Sequence, residues 1–277
     1  MPIPKEAVEE ALARAFLGGG ALRKEDRQKA LELAPLLEEM ARALPQSAGR
    51  RTPQAPTEGG ARRRAGRAPF LLVDACAGKS AAGLLFLALV APEGDARVLA
   101  LEGDPARLAQ ALEGARALGV LDRLERRTGD VGDPALWPEE PDLVVALHAC
   151  GEASDLVIER ALAARAKRLL LVPCCYGAAS TRTHDGRATR VPAQEQADRW
   201  AAAVGIPRHA LVQRRFAQAL IDAERTARLE AAGYETEVVE FVAPTVSPHC
   251  LLWRARRVGE PVRSAEGARA HAMMRRG

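Results

Sequence analysis

No stretch of the chain offers the run of about twenty mostly uncharged apolar residues that a membrane span requires. The most apolar segment, Phe70 to Ala91, is broken by Asp74, Lys79 and several small residues, and is expected to form a buried strand and helix. The amino terminus, Met1-Pro2-Ile3-Pro4-Lys5-Glu6, lacks the charged-then-apolar pattern of a secretory leader. A disulfide framework is missing too. Cys76, Cys150, Cys174, Cys175 and Cys250 lie within or beside apolar runs, as expected for reduced thiols in a cytoplasmic protein. Lysine is scarce, five residues against 35 arginines, a bias that GC-rich coding DNA produces. No internal repeat is found.

What is present is unevenly charged. The net charge of +4 hides two basic segments, 50–67 and 254–277, each carrying +5, which leaves the rest of the chain at −6. An acidic body with basic extensions suggests contact with a polyanion such as RNA, although Arg-rich linkers are also simply well solvated.

The 277 residues suffice for one large domain and a small accessory element. Val8, Ala11, Leu12, Ala15 and Phe16 recur at helical spacing up to Gly18-Gly19-Gly20. A second helix is expected from Glu25 to Leu44 on a stripe of Leu33, Leu36, Leu37, Met40 and Leu44. Neither can bury its stripe alone, so the pair should pack on each other or on the main domain. Residues 1–45 are therefore read as an N-terminal helical element, 46–68 as a basic flexible linker rich in Pro, Gly and Arg, 69–257 as the main domain and 258–277 as a basic tail.

From Phe70 strands alternate with helices: Phe70–Val73, Arg97–Leu101, a weak strand at Leu124–Thr128, Leu143–Leu147 and Arg168–Val172. Continuous apolar strands of this kind indicate a parallel sheet covered on both faces, an α/β fold. Asp104 and Pro105 form an N-cap and first-turn pair, and Gly119 closes the helix they begin. After a helical region at Pro207–Ala232, strands at Glu237–Val242 and Cys250–Arg254 have no helix between them and must pair as an antiparallel hairpin. Five parallel strands plus a terminal antiparallel hairpin is a Rossmann-like layout.

Ligands of such sheets bind beyond the carboxyl ends of the strands, so the residues there are the candidate site. After the first strand comes Asp74-Ala75-Cys76-Ala77-Gly78-Lys79-Ser80, a small-residue turn that lets a ligand approach the backbone at Gly78. After the second stands Glu102, which can accept hydrogen bonds from both hydroxyls of a ribose. After the third, Asp130 can accept from an adenine amino group while Val131 packs on the ring and offers its amide. His148-Ala149-Cys150-Gly151 and Pro173-Cys174-Cys175-Tyr176-Gly177 follow the fourth and fifth. His148 is a candidate base near neutral pH, and Tyr176 can stack on a planar acceptor or offer its hydroxyl. The cysteines are read as small hydrophobes lining a wall.

Asp74-Ala75-Cys76-Ala77-Gly78-Lys79, Leu147-His148-Ala149-Cys150-Gly151 with Ser154-Asp155, Cys174-Cys175-Tyr176 and Ser247-Pro248-His249-Cys250-Leu251-Leu252 follow one order and spacing. They resemble the methyltransferase-domain family that includes the methyltransferase-like 25 group, and more distantly tRNA ribose methyltransferases. The likeness covers about residues 69–257. It implies a class I methyltransferase sheet and S-adenosyl-L-methionine as cofactor, and suggests RNA or a translation component as acceptor. It further implies Asp74, Cys76, Gly78, Glu102, Asp130 and Val131 as cofactor-binding residues, with Asp74 reaching the methionine ammonium, and His148 and Tyr176 as catalytic residues. Cys76 and Ser80 replace glycines of the family loop, and Gly177 stands where relatives commonly have histidine.

Other readings fit less well. A phosphate-binding P-loop needs glycine where Val73 stands, and a nicotinamide site needs a more glycine-rich turn. Zinc is not expected, because the spacings are His-x-Cys and Cys-Cys. The serious alternative is a catalytically weakened methyltransferase fold serving as an RNA- or protein-binding module.

Overall fold

The computed structural model describes residues 2–45, 68–93, 96–149, 151–173, 180–184, 187–191, 199–206, 209–247 and 250–259. The elements, in chain order, are α1 (Lys5–Leu17), α2 (Lys24–Ala43), β1 (Phe70–Ala75), α3 (Ala81–Leu85), β2 (Ala96–Glu102), α4 (Pro105–Leu118), β3 (Leu124–Thr128), β4 (Leu143–Ala149), α5 (Ala153–Ala163), β5 (Arg168–Pro173), β6 (Ser180–His184), β7 (Arg187–Val191), α6 (Ala210–Ala231), β8 (Tyr234–Glu240) and β9 (Leu251–Arg257). Seven strands form one sheet in the order β3-β2-β1-β4-β5-β9-β8. β1 to β5 are parallel, while β9 runs antiparallel to both β5 and β8. The expected five parallel strands and terminal hairpin are thus present. Strand order reverses between β1 and β4, the crevice where open α/β sheets hold ligands.

Strand alternation divides the core. Leu72, Val98, Leu143, Val145, Leu170 and Val172 point to one face, packed with Leu12 of α1, Leu33, Leu36, Leu37 and Met40 of α2 and Leu84 and Leu85 of α3. Val73, Leu99, Leu101, Val144, Leu169, Leu171 and Trp253 point to the other, against Val157 and Ile158 of α5 and Leu229 of α6. The helical pair α1–α2 is therefore a layer of this domain rather than an appendage. Gly114 on α4 lets α1 approach: a Cβ there would lie 2.9 Å from the Phe16 ring and 3.0 Å from Leu84.

Several boundaries differ from expectation. The helix expected within the apolar Phe70–Ala91 segment is α-helical only to Leu85, then widens into a π-helical turn at Phe86–Val90. β4 continues through His148 to Ala149, and β8 begins at Tyr234, directly after the Gly233 turn. The antiparallel ribbon β6–β7 was not expected. Its residues carry no apolar alternation, so periodicity gives no signal. The basic linker and most of the basic tail, together with Cys150, Cys174, Cys175, Tyr176 and Gly177, lie outside the described residues. Among the described residues, no helix is long and apolar enough to cross a membrane.

One buried carboxylate fixes the loop after β1. Asp74 is 2% exposed, and its Oδ2 accepts from Ser80 Oγ at 2.7 Å and from the Gly83 amide at 3.1 Å. Gly83 is required because a Cβ there would come within 2.7 Å of Val98 and 2.8 Å of Ser80 Oγ. Burial pushes the Asp74 carboxyl up to about 6, against the pull of Ser80, Gly83 and Lys29.

Two outcomes follow from this packing. Gly114→Val should lower unfolding stability by about 1–3 kcal/mol in urea, the usual cost of overpacking; unchanged stability would mean α1 does not sit on α4. Asp74 keeps its proton to higher pH folded than unfolded, so its contribution is complete below the unfolded value of 3.8 and is lost as pH rises through about 6. That loss is on the order of 3 kcal/mol, and Asp74→Asn, which retains the acceptor, should flatten it. Urea titrations across pH 4–7 in which the variant declines as the parent does would contradict this assignment.

Candidate functional site

The turn leaving β1 is built from alternate left-handed residues: Cys76 (φ 55°), Gly78 (φ 56°) and Ser80 (φ 53°). Two of these carry side chains in a conformation that favours glycine, and such strain tends to concentrate at functional sites. Three of the turn's backbone amides are already engaged. Ala77 donates to Leu101 O at 2.9 Å, Gly78 to Glu102 Oε2 at 2.7 Å and Ser80 to Ala77 O at 2.7 Å. Those three amides are therefore not available to a phosphate. The same bonding also joins two of the expected site residues, since Glu102 at the end of β2 reaches across to Gly78. The other Glu102 oxygen accepts from the Asp104 amide at 3.1 Å. Above Gly78 the space is open, with no atom within 4 Å of the position a Cβ would take.

Beyond β3, Asp130 is exposed and folds back to accept the Gly132 amide at 2.7 Å. Val131 is partly buried, and its carbonyl accepts from Trp137 Nε1 at 2.8 Å. Trp137, Leu136 and Val131 pack together on the same core. Asp74 lies buried beneath the turn, where it holds Ser80 and Gly83. Cys76 is partly exposed on the turn itself.

His148 is the extra residue of a β-bulge. Leu147 pairs with Val172 and Ala149 with Pro173, while His148 itself adopts φ 62°. A bulge of this kind re-aims one side chain, here toward α2. Nε2 of His148 lies 2.8 Å from Oε2 of Glu32, a carboxylate only 5% exposed. Burial alone would raise the Glu32 carboxyl, but hydrogen bonds from His148 and Ser247, with Lys29 nearby, hold it below the usual carboxylate range. An ionised carboxylate only accepts, so the neutral imidazole carries its proton on Nε2 and its lone pair on Nδ1.

Glu32 is the residue that sequence reasoning missed. α2 is laid across these loops by further ties: Gln28 Nε2 donates to Val246 O at 2.9 Å, and Glu39 pairs with Arg42 and with Arg254 of β9. Arg168 at the start of β5 donates to Arg42 O at 2.8 Å. The signal lay in the helix itself, where positions 29, 32, 36 and 39 form one stripe that mixes charge with leucine. Lys29 is partly buried on this stripe. Burial lowers its ammonium and Lys79 adds to that, opposed by Asp74, Glu32 and Asp26.

The Ser154-Asp155 pair secures the loop after β4. Ser154 Oγ donates to Ala149 O at 2.7 Å, and Asp155 receives Arg225 at 3.2 and 3.1 Å and Arg228 at 3.0 Å. Arg225 is fully buried, so this cluster fixes α6 against α5 and, through it, the bulge.

The chain is similar in part to several known proteins. The human glutathione S-transferase C-terminal domain-containing protein is 26% identical over 151 residues, which are 46% of this chain and 23% of that protein. The chain thus spans less than a quarter of that relative's length. A methyltransferase from Geobacter sulfurreducens superposes with a TM-score of 0.41 at 14% identity, covering 93% of this chain and 92% of that one. The Methanococcus jannaschii fibrillarin pre-rRNA processing protein gives 0.41 at 12% identity, covering 70% and 69%. Residues 59–182 match a family model described as a methyltransferase domain, a span that contains β1 to β5 and all the candidate site residues named from the sequence.

Proposed function

We propose that this chain is an S-adenosylmethionine-dependent methyltransferase. The observation that carries the reading is the meeting of Glu102, at the end of β2, with the Gly78 turn after β1, beneath open space and next to the crevice where strand order reverses between β1 and β4. These residues suit an adenosyl ligand. Glu102 is a carboxylate for the ribose hydroxyls, Asp130 an exposed acceptor for the adenine amino group, and Val131 with Trp137 an apolar wall for the ring. The bound cofactor supplies a methyl group activated on a sulfonium.

The protein's own share is alignment and proton handling. His148, turned by the bulge and held by Glu32, is the base for the acceptor's proton, and Glu32 steadies the imidazolium that results. Tyr176 positions the acceptor. The motifs align the chain with the methyltransferase-like 25 type. The two basic segments favour RNA or a translation component as acceptor, in the cytoplasm, with salt-sensitive phosphate contacts.

A second reading, a weakened methyltransferase fold that binds RNA or protein, is favoured by the side chain of Cys76 in a left-handed position beside Gly78. Binding without transfer to any RNA or protein would select it.

The test is calorimetry of the full chain with S-adenosylmethionine. Glu102→Ala should weaken binding at least tenfold, because charge-assisted hydrogen bonds contribute about 1.5–3 kcal/mol each. Equal affinity in parent and variant would remove Glu102 from the site.

A further inference from the structure

We propose that Lys29 of α2 binds the α-carboxylate of the methionine part of S-adenosylmethionine, so that the N-terminal helical layer completes the cofactor site. The inference rests on the cofactor assignment made above and adds a residue that neither the motifs nor the strand ends indicate.

Placement is the first argument. Lys29 precedes Glu32 by three residues and so shares its face of α2. That face is fixed at Gln28 by Val246, and at Glu32 by His148 and Ser247. Lys29 is thereby held on the face of α2 turned to the loop after β4, and the charges of Asp74 and of Lys79 in the turn after β1 act on its ammonium. Any ligand lying over Gly78 with its ribose at Glu102 extends its other end toward the switch point between β1 and β4. There Lys29 is the cation that α2 supplies.

The second argument is the state of its ammonium. Among the described residues Lys29 makes no hydrogen bond and no ion pair, although it is partly buried. An ammonium withdrawn from water without such partners is unfavourable. The acids nearby are already engaged: Asp74 Oδ2 by Ser80 and Gly83, Glu32 by His148 and Ser247. Burial and the like charge of Lys79 depress the Lys29 ammonium, and an arriving carboxylate would relieve both effects. Lys79 contributes to the positive field but is itself drawn aside, its ammonium 5.0 Å from the centre of the Phe16 ring. A free carboxylate beside this pair gains a charge-assisted hydrogen bond that no described residue supplies.

The experiment compares two ligands on the full chain by calorimetry. S-adenosylhomocysteine carries the amino-acid tail, and 5′-methylthioadenosine has the same nucleoside and sulfur without it. In the parent the tailed ligand should bind more tightly. Lys29→Met should weaken S-adenosylhomocysteine by roughly tenfold or more and leave 5′-methylthioadenosine within about twofold, while Lys29→Arg keeps most of the tail's contribution. Retained 5′-methylthioadenosine binding certifies that the variant is folded; if Lys29→Met fails this control, Lys29→Gln replaces it. Weakening of neither ligand, or equal weakening of both in Lys29→Met and in Lys29→Gln, overturns the assignment. So does a parent that binds the two ligands equally. A parent that binds neither overturns the cofactor assignment itself.

Discussion

The buried carboxylate of Glu32 ties together segments that lie far apart in the chain. It takes Nε2 of His148 from β4 and the hydroxyl of Ser247 from the loop between β8 and β9, and it is carried by a helix that packs on one face of the sheet. An ionised carboxylate that is only 5% exposed is stable only when its hydrogen-bonding capacity is met, so these partners must hold their places together. The constraint explains why β4 tolerates a bulge with a left-handed histidine. The strain is offset by a charge-assisted contact that a regular strand would not make.

Asp74 plays the corresponding part under β1. It holds Ser80 and Gly83 from below while Glu102 holds Gly78 from the side, and the turn between them keeps three left-handed residues in sequence. Both carboxylates act on the loop mainly through backbone geometry. The surface proposed to face the cofactor is then what remains exposed: open space over Gly78, the oxygens of Glu102, and the proposed contribution of Lys29 from α2.

Much of the fold was legible in the sequence because strands buried on both faces must be apolar throughout. Phe70–Val73, Leu143–Leu147 and Arg168–Val172 stood out for that reason, and Gly18, Asp104 and Gly119 marked helix ends through their capping chemistry. The ribbon β6–β7 was silent because its Thr and Arg residues follow no apolar period. The residues at strand ends were legible because the fold class dictates where ligands lie. Their internal partnerships were not: sequence order cannot show that Glu102 spends one oxygen on Gly78, or that Asp130 curls onto Gly132. The contact between Glu32 and His148 spans 116 positions, and an acid in a helix rich in Glu gives no sign of its partner until the helix is docked.

The central claim is that an adenosyl cofactor lies over Gly78, between Glu102 and the α2 face that bears Lys29 and Glu32. A crystal structure of the full chain with S-adenosylhomocysteine tests it most directly. The account predicts ribose hydroxyls on the Glu102 carboxylate, the adenine beside Val131, the tail carboxylate at Lys29 and the sulfur facing the His148 loop. A ligand bound anywhere else, or one whose ribose leaves Glu102 untouched, would contradict it.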